Sequence, residues 1–192
     1  MIRRRRTLAW PLATVLAGCS QPVALYPGNK DATYHQKLQR VLVTLNLRDP
    51  GMTDAQWNVI VRPQELQQSL AAAWRPFGIS LEVLDLDGVS DRAKVTADAV
   101  ARFAPMQIAN VRIARFNKAG GLVSIIDGYM LETAIFDVAT RKTVWTGTVE
   151  FRQFSAGGRS RSGPLGMAKS HVSDANDFAD GLTSQLKTDG LL

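Results

Sequence analysis

Between Arg40 and Arg48 the apolar side chains fall on every second position: Val41, Val43, Leu45 and Leu47 alternate with Leu42, Thr44, Asn46 and Arg48. Successive side chains of a β-strand leave the chain on opposite faces, so a period of two predicts a strand with one buried face. Asp49-Pro50-Gly51 then reads as a turn. The alternation returns at Ile79, Leu81 and Val83, closed by Asp85-Leu86-Asp87-Gly88. Between the two runs the period changes. Thr53 with Gln56 three residues on has the spacing of a capping box and predicts a short helical turn near Trp57. Pro63 opens a longer helix, because proline is tolerated where the first-turn N–H has no internal partner. Leu66, Leu70, Ala73, Trp74 and Phe77 share one face of it, and Gly78 stands just past its end.

The remaining chain continues in the same manner. A second helix is predicted over Asp91–Ala104, with Val95, Ala99 and Phe103 four apart and Pro105 as its stop. Gln107–Phe116 reads as a third strand and Asn117–Gly121 as a turn. Tyr129–Asp137 and Thr143–Phe154 form an antiparallel hairpin joined by residues 138–142. On its second strand Trp145, Val149 and Phe151 share a face, and Gly147 within it points to a bulge or a close approach. Residues 155–170 interleave glycine and serine with basic residues and read as a mobile loop. Ser173 caps a last helix, whose Ala175, Phe178, Ala179, Leu182 and Leu186 make one apolar stripe. The sum is an α+β sandwich: a mixed sheet of about five strands with about three helices.

The N-terminus reads as an address. Four arginines, Arg3 to Arg6, precede an apolar segment from Leu8 to Leu16, the composition of a secretory signal over residues 1–18. Nine residues are about half of what a membrane-crossing helix needs. The segment ends in Leu16-Ala17-Gly18-Cys19, and Cys19 is the only cysteine in the chain. These four residues resemble the lipobox of bacterial lipoproteins. The resemblance implies cleavage between Gly18 and Cys19, a diacylglycerol thioether on Cys19 and an N-acyl (palmitate-type) chain on the new terminus. Ser20, rather than Asp, follows the cysteine, which by the enteric sorting pattern implies an outer-membrane, periplasm-facing location. Residues 19–38, with Pro22, Pro27 and Gly28, read as the lipidated tether, and 39–192 as one globular domain.

Charge has to be read after that division. The formal charge is +6, but the signal holds four of the 23 basic residues and none of the 17 acidic ones, leaving 19 against 17, about +2. A near-neutral domain offers no electrostatic footprint for nucleic acid. With its one thiol acylated the domain has no disulfide, so packing alone must hold it.

A second resemblance lies in the hairpin. Phe136-Asp137-Val138-Ala139-Thr140-Arg141-Lys142-Thr143-Val144-Trp145-Thr146-Gly147 is similar to a hairpin of small envelope lipoproteins, in the group with the curli-secretion lipoprotein and penicillin-binding-protein activator fold. It implies a fold and an adaptor theme, and transfers no binding residue.

Few residue groupings in the chain point to chemistry. His35 and His171 are the only histidines, no metal-ligand spacing occurs, and no cofactor is implied beyond the lipid. Asp85, Asp87 and Asp91 cluster near Gly88, but in that run the glycine is fourth and Thr96 stands at position twelve, against the sixth and a glutamate in an EF-hand. A helix-entry turn with a capping aspartate fits better. Ser162 or Ser170 with His171 and Asp174 lacks the rigid surroundings that a triad requires. Glu132 and Glu150 on facing strands are the nearest thing to an acid/base pair, and solvated residues opposite Lys or Arg are the default for such positions. Arg159, Arg161 and Lys169 form a basic loop able to grip anionic groups such as headgroups or peptidoglycan stem carboxylates. No phosphate-binding glycine motif occurs.

Three functions are consistent with these features. The first is a non-enzymatic adaptor, anchored in the membrane and bound to an envelope protein or cell-wall component. The second is a lipid- or glycolipid-handling accessory of an envelope transport system, for which Leu42, Leu84, Leu86, Leu122 and Ile126 off the core faces would line a groove. A sheet covered on both faces would bury the same residues. The third is a peptidoglycan-acting hydrolase. Oligomeric state is left open by the sequence.

Overall fold

A computed structural model describes residues 23–48, 51–119, 125–152 and 171–192. Its strands are β1 (Val23–Lys30), β2 (Arg40–Asn46), β3 (Ser80–Asp85), β4 (Gln107–Ala119), β5 (Ile125–Asp137) and β6 (Lys142–Arg152). Its helices are α1 (Asp54–Trp57), α2 (Pro63–Trp74), α3 (Arg92–Phe103) and α4 (His171–Thr188). The strands make one mixed sheet in the order β1-β6-β5-β4-β2-β3, with β2 parallel to both β3 and β4 and the other pairings antiparallel. The expected α+β class holds, with six strands rather than about five.

The additional strand is β1. Much of the tether expected over residues 19–38 is instead structured: Val23–Lys30 pairs along β6, and Tyr34 and Leu38 are buried in the core. Pro27 and Gly28 read as turn residues, yet a sheet edge tolerates both. They sit where the register slips between Tyr26 and Asn29, an irregularity that puts two residues opposite the single Gly147.

Parity along β2 divides the sheet into two faces. Val41, Val43 and Leu45 point into the main core with Leu66, Leu70 and Trp74 of α2 and Phe178, Ala179, Leu182 and Leu186 of α4. The opposite parity faces α3: the Arg40 guanidinium lies over the Phe103 ring and Arg92 bonds Asn46 Oδ1 at 2.8 Å. Leu42 and Leu86, with Ala99, are buried outside the main cluster. Coverage on both faces therefore accounts for Leu42 and Leu86; Leu84 is half-buried, and the side chains of Leu122 and Ile126 lie outside the described part.

Local signals fare as their physics suggests. Thr53 and Gln56 form the capping box, and Gly78 takes the left-handed φ of +70°. Asp91 caps α3, bonding Lys94 N. Phe77, expected on the buried face of the helix through Pro63, is instead 40% exposed, because the chain tightens into a 3-10 turn over Arg75–Phe77 at Pro76 and rotates it outward. The turn expected from Asn117 starts later, since Asn117 pairs with Gly128 and β4 runs on to Ala119. α4 begins at His171, so Ser173 lies inside its first turn rather than before it.

Gly147 meets the expectation of a close approach. A Cβ there would overlap the Trp145 indole and come 2.8 Å from Gln185 Oε1. The indole cannot yield, being buried and donating from Nε1 to Asp189 Oδ2 at 2.6 Å. Gly147→Ala should therefore cost about 1–3 kcal/mol in urea unfolding. Gly181→Ala is the control: its Cβ would meet only the tip of the exposed Leu25 side chain, and alanine favours the helix by about 1 kcal/mol. An unchanged midpoint for Gly147→Ala would contradict this packing.

Candidate functional site at the first strand

The site residues expected from the sequence, Gly18, Cys19, Arg159, Arg161 and Lys169, all lie outside the described residues. The Asp85–Asp91 cluster is a loop-building device. Asp87 Oδ1 accepts from the backbone N–H groups of Leu47 (2.9 Å) and Arg48 (2.8 Å), and Asp85 Oδ1 accepts from Asp87 N. Burial raises the Asp87 carboxyl above its ordinary pKa, with those backbone bonds opposing. Among the described residues no group of three His, Cys, Asp or Glu side chains could hold a metal.

Glu132 and Glu150 do not pair as an acid and a base. Register sets Glu150 opposite Met130, while Glu132 bonds Arg112 of β4 at 2.7 Å. Glu150 is also not the solvated residue expected, being only 1% exposed. Its carboxylate accepts from Tyr26 Oη, from Asn117 Nδ2 at 2.7 Å and from Arg152 Nε at 3.1 Å. Burial alone would raise its pKa, but the bonds from Arg152 and Tyr26, with Asn117, outweigh it and hold the carboxyl below its ordinary value. Each donor comes from a different strand, so this one acid ties β1 and β4 to β6.

On the other side of the same edge lies a groove between β1 and α4. Two adjoining hollows of about 420 and 270 Å³ share Leu25. Val23, Asp177, Asp180 and Gly181 wall the first; Tyr26, Pro27, Gln185 and Asp189 are among those walling the second. Leu25 is 45% and Tyr26 38% exposed, while Gln185 is buried. Gln185 Nε2 donates to the carbonyls of Tyr26 (2.7 Å) and Thr148 (3.0 Å), and its Oε1 has no partner among the described residues. Among the described residues β1 has a neighbour on one side only, so its outer edge offers backbone groups to an incoming chain. Sequence reading missed Leu25 and Tyr26 because Pro27-Gly28 hid their strand. The alternation of Val23, Leu25 with Ala24, Tyr26 was the only signal for it.

No protein-family model matches the chain, and no curated protein matches it. Among solved structures it is similar to the PelC dodecamer from Paraburkholderia phytofirmans, at 16% identity over 85% of this chain and 95% of that one, with a TM-score of 0.45. It is also similar to lipoprotein GNA1162 from Neisseria meningitidis, at 13% identity over 78% and 99%, with a TM-score of 0.43. Protein XCC0632 from Xanthomonas campestris is similar at 11% identity over 85% and 98%, with a TM-score of 0.37.

The Glu150 cluster has a pH signature. A carboxyl whose folded pKa is depressed adds stability above its unfolded pKa and loses it as pH falls through the folded value. Glu150→Gln keeps the shape but discards charge-assisted bonds, and should cost about 2 kcal/mol at neutral pH. The difference from the unsubstituted protein should shrink as pH drops below the ordinary carboxylate range. Urea unfolding at a series of pH values checks this, and a gap that stays constant into acid would refute it.

Proposed function

We propose that this chain is a lipid-anchored envelope protein, held through Cys19 and facing the periplasm from the outer membrane, that acts as a non-enzymatic adaptor or accessory factor in envelope assembly or transport. The observation that carries the reading is the outer edge of β1, unpaired among the described residues, with Leu25 exposed beside the α4 groove. An extended segment of a partner can add to such an edge: main-chain bonds supply affinity and the adjoining hollows select side chains. The first hollow has an aliphatic floor at Val23 and Leu25 and a carboxylate at Asp180, which suits an aliphatic side chain flanked by a basic one.

The lipid-handling alternative has less support. An acyl chain laid in this groove would cover the carboxylates of Asp180 and Asp189 with hydrocarbon, a costly burial. The hydrolase reading is weaker still, since Glu132 and Glu150 are each engaged by an arginine. The basic stretch with Arg159, Arg161 and Lys169 is assigned, on composition, to anionic groups such as lipid headgroups or peptidoglycan stem carboxylates.

Cross-linking in intact cells with a tagged, lipidated protein tests the adaptor. One dominant envelope protein should be captured, and Leu25→Asp, on an exposed side chain, should abolish that capture without changing protein abundance. Cys19→Ser should abolish it too by releasing the domain from the membrane. Capture of the same partner by Leu25→Asp would remove β1 as the contact. Lipid or muropeptide recovered in place of any protein would overturn the adaptor reading.

A further inference from the structure

The two hollows beside β1 differ in what they leave for a partner, and the difference specifies the segment that fits them. The fit presupposes the strand addition to β1 proposed above. In the first hollow Val23 and Leu25 meet the carboxylates of Asp177 and Asp180. Asp180 is exposed and makes no ion pair among the described residues. Around the second hollow most side-chain donors are already spent. Gln185 Nε2 donates to two carbonyls, those of Tyr26 and Thr148, and the Thr188 hydroxyl donates to the Ser184 carbonyl at 2.9 Å. Asp189 is a carboxylate, which only accepts. Lys30 sets its Nζ on the Asp189 carbonyl and is not part of the hollow's wall. What remains is mainly acceptors, and a donor-rich cation satisfies them.

The sheet sets the spacing between the hollows. Val23 lies level with Phe151 of β6 and Leu25 level with Val149, while Pro27 and Gly28 together face the level of Gly147. Side chains alternate along a strand, so these are three successive positions on the face that α4 covers. Leu25 stands between the hollows and is shared by both. A regular strand added outside β1 meets the same three levels at its residues i, i+2 and i+4. Residue i falls beside the acids of the first hollow, i+2 packs on the exposed Leu25, and i+4 enters the second hollow.

We infer that the segment added to β1 carries the pattern basic–x–aliphatic–x–basic, with both cations and the aliphatic side chain turned toward α4. The pattern reads the same from either end, so a parallel and an antiparallel strand meet the same chemistry. This chain does not carry it: no two of its 23 Lys and Arg residues stand four apart. A second copy therefore cannot supply the segment, and the partner is another protein.

Fluorescence anisotropy with short labelled peptides tests the pattern on the full protein, purified in detergent. A peptide with Lys-Thr-Leu-Thr-Lys at its centre should bind about tenfold more tightly than one with the same residues ordered Lys-Lys-Leu-Thr-Thr, because one charge-assisted bond is lost when a cation leaves its hollow. Asp180→Lys, on an exposed side chain, should weaken binding of Lys-Thr-Leu-Thr-Lys and let Glu-Thr-Leu-Thr-Lys overtake it. Equal binding of the two orderings, binding of neither, or an Asp180→Lys protein that keeps the original preference would overturn the inference. Self-association in sedimentation equilibrium that Leu25→Asp abolishes would overturn it too, by placing a second copy on the edge. If Leu25→Asp abolishes capture in cells while neither peptide binds, the edge reading stands and the pattern alone falls.

Discussion

The bond from Trp145 Nε1 to Asp189 Oδ2 is the contact on which the β1 side of this domain depends. A buried indole N–H must find an acceptor, and this one finds a carboxylate just past the last turn of α4. The sheet around it is shaped to admit the ring. Gly28 and Gly147 have no room for a Cβ, because the indole and the Asp189 carboxylate occupy it. Sparing those side chains puts an irregularity in β1, and Gln185 of α4 binds the Tyr26 and Thr148 carbonyls beside it. Lys30 Nζ closes the arrangement on the Asp189 carbonyl at 2.8 Å. Helix, edge strand and hairpin are thus fixed to one another by a single aromatic side chain and the polar groups it gathers.

This arrangement explains how an edge strand carrying Pro27 persists at all. A lone strand of eight residues, interrupted by proline, has too few ladder bonds to hold its place. β1 adds the Tyr26–Glu150 bond on one face and the Gln185 and Asp189 contacts on the other, so it is held from both sides. Among the described residues its outer edge stays unpaired while its position is fixed. An exposed edge is ordinarily a route to aggregation, and Pro27 with the register slip limits the flat length on offer.

How much of this was legible in the sequence follows from the range of each interaction. Period-two and period-four patterns are local, and they placed β2, α2, α3, β6 and α4 within a few residues. The capping box at Thr53, the cap at Asp91 and the left-handed Gly78 are local too. Phe77 was misplaced because Pro76 changes the helix type within one turn, a detail that periodicity averages away. β1 was obscured because its stability comes from Glu150, Gln185 and Asp189, more than a hundred residues distant, while its own sequence shows turn residues. Glu150 looked solvated for the same reason, since Tyr26 and Asn117 are brought to it only by the strand order.

Finding β1 changes the functional geometry more than it changes the fold. A tether of some twenty residues would let the domain range far from the membrane, and its orientation would carry no information. On the proposed lipidation of Cys19, a strand starting at Val23 lies four residues from the lipid, and the edge left unpaired among the described residues begins close to the anchor. A partner adding to that edge therefore meets a strand whose position and direction relative to the bilayer are restricted by the chain itself. Restriction of this kind lowers the entropy lost on binding, because fewer orientations have to be given up. The proposed anchor would thus prepare the edge for the proposed partner as well as locate the protein, and both proposed roles converge on the same eight residues.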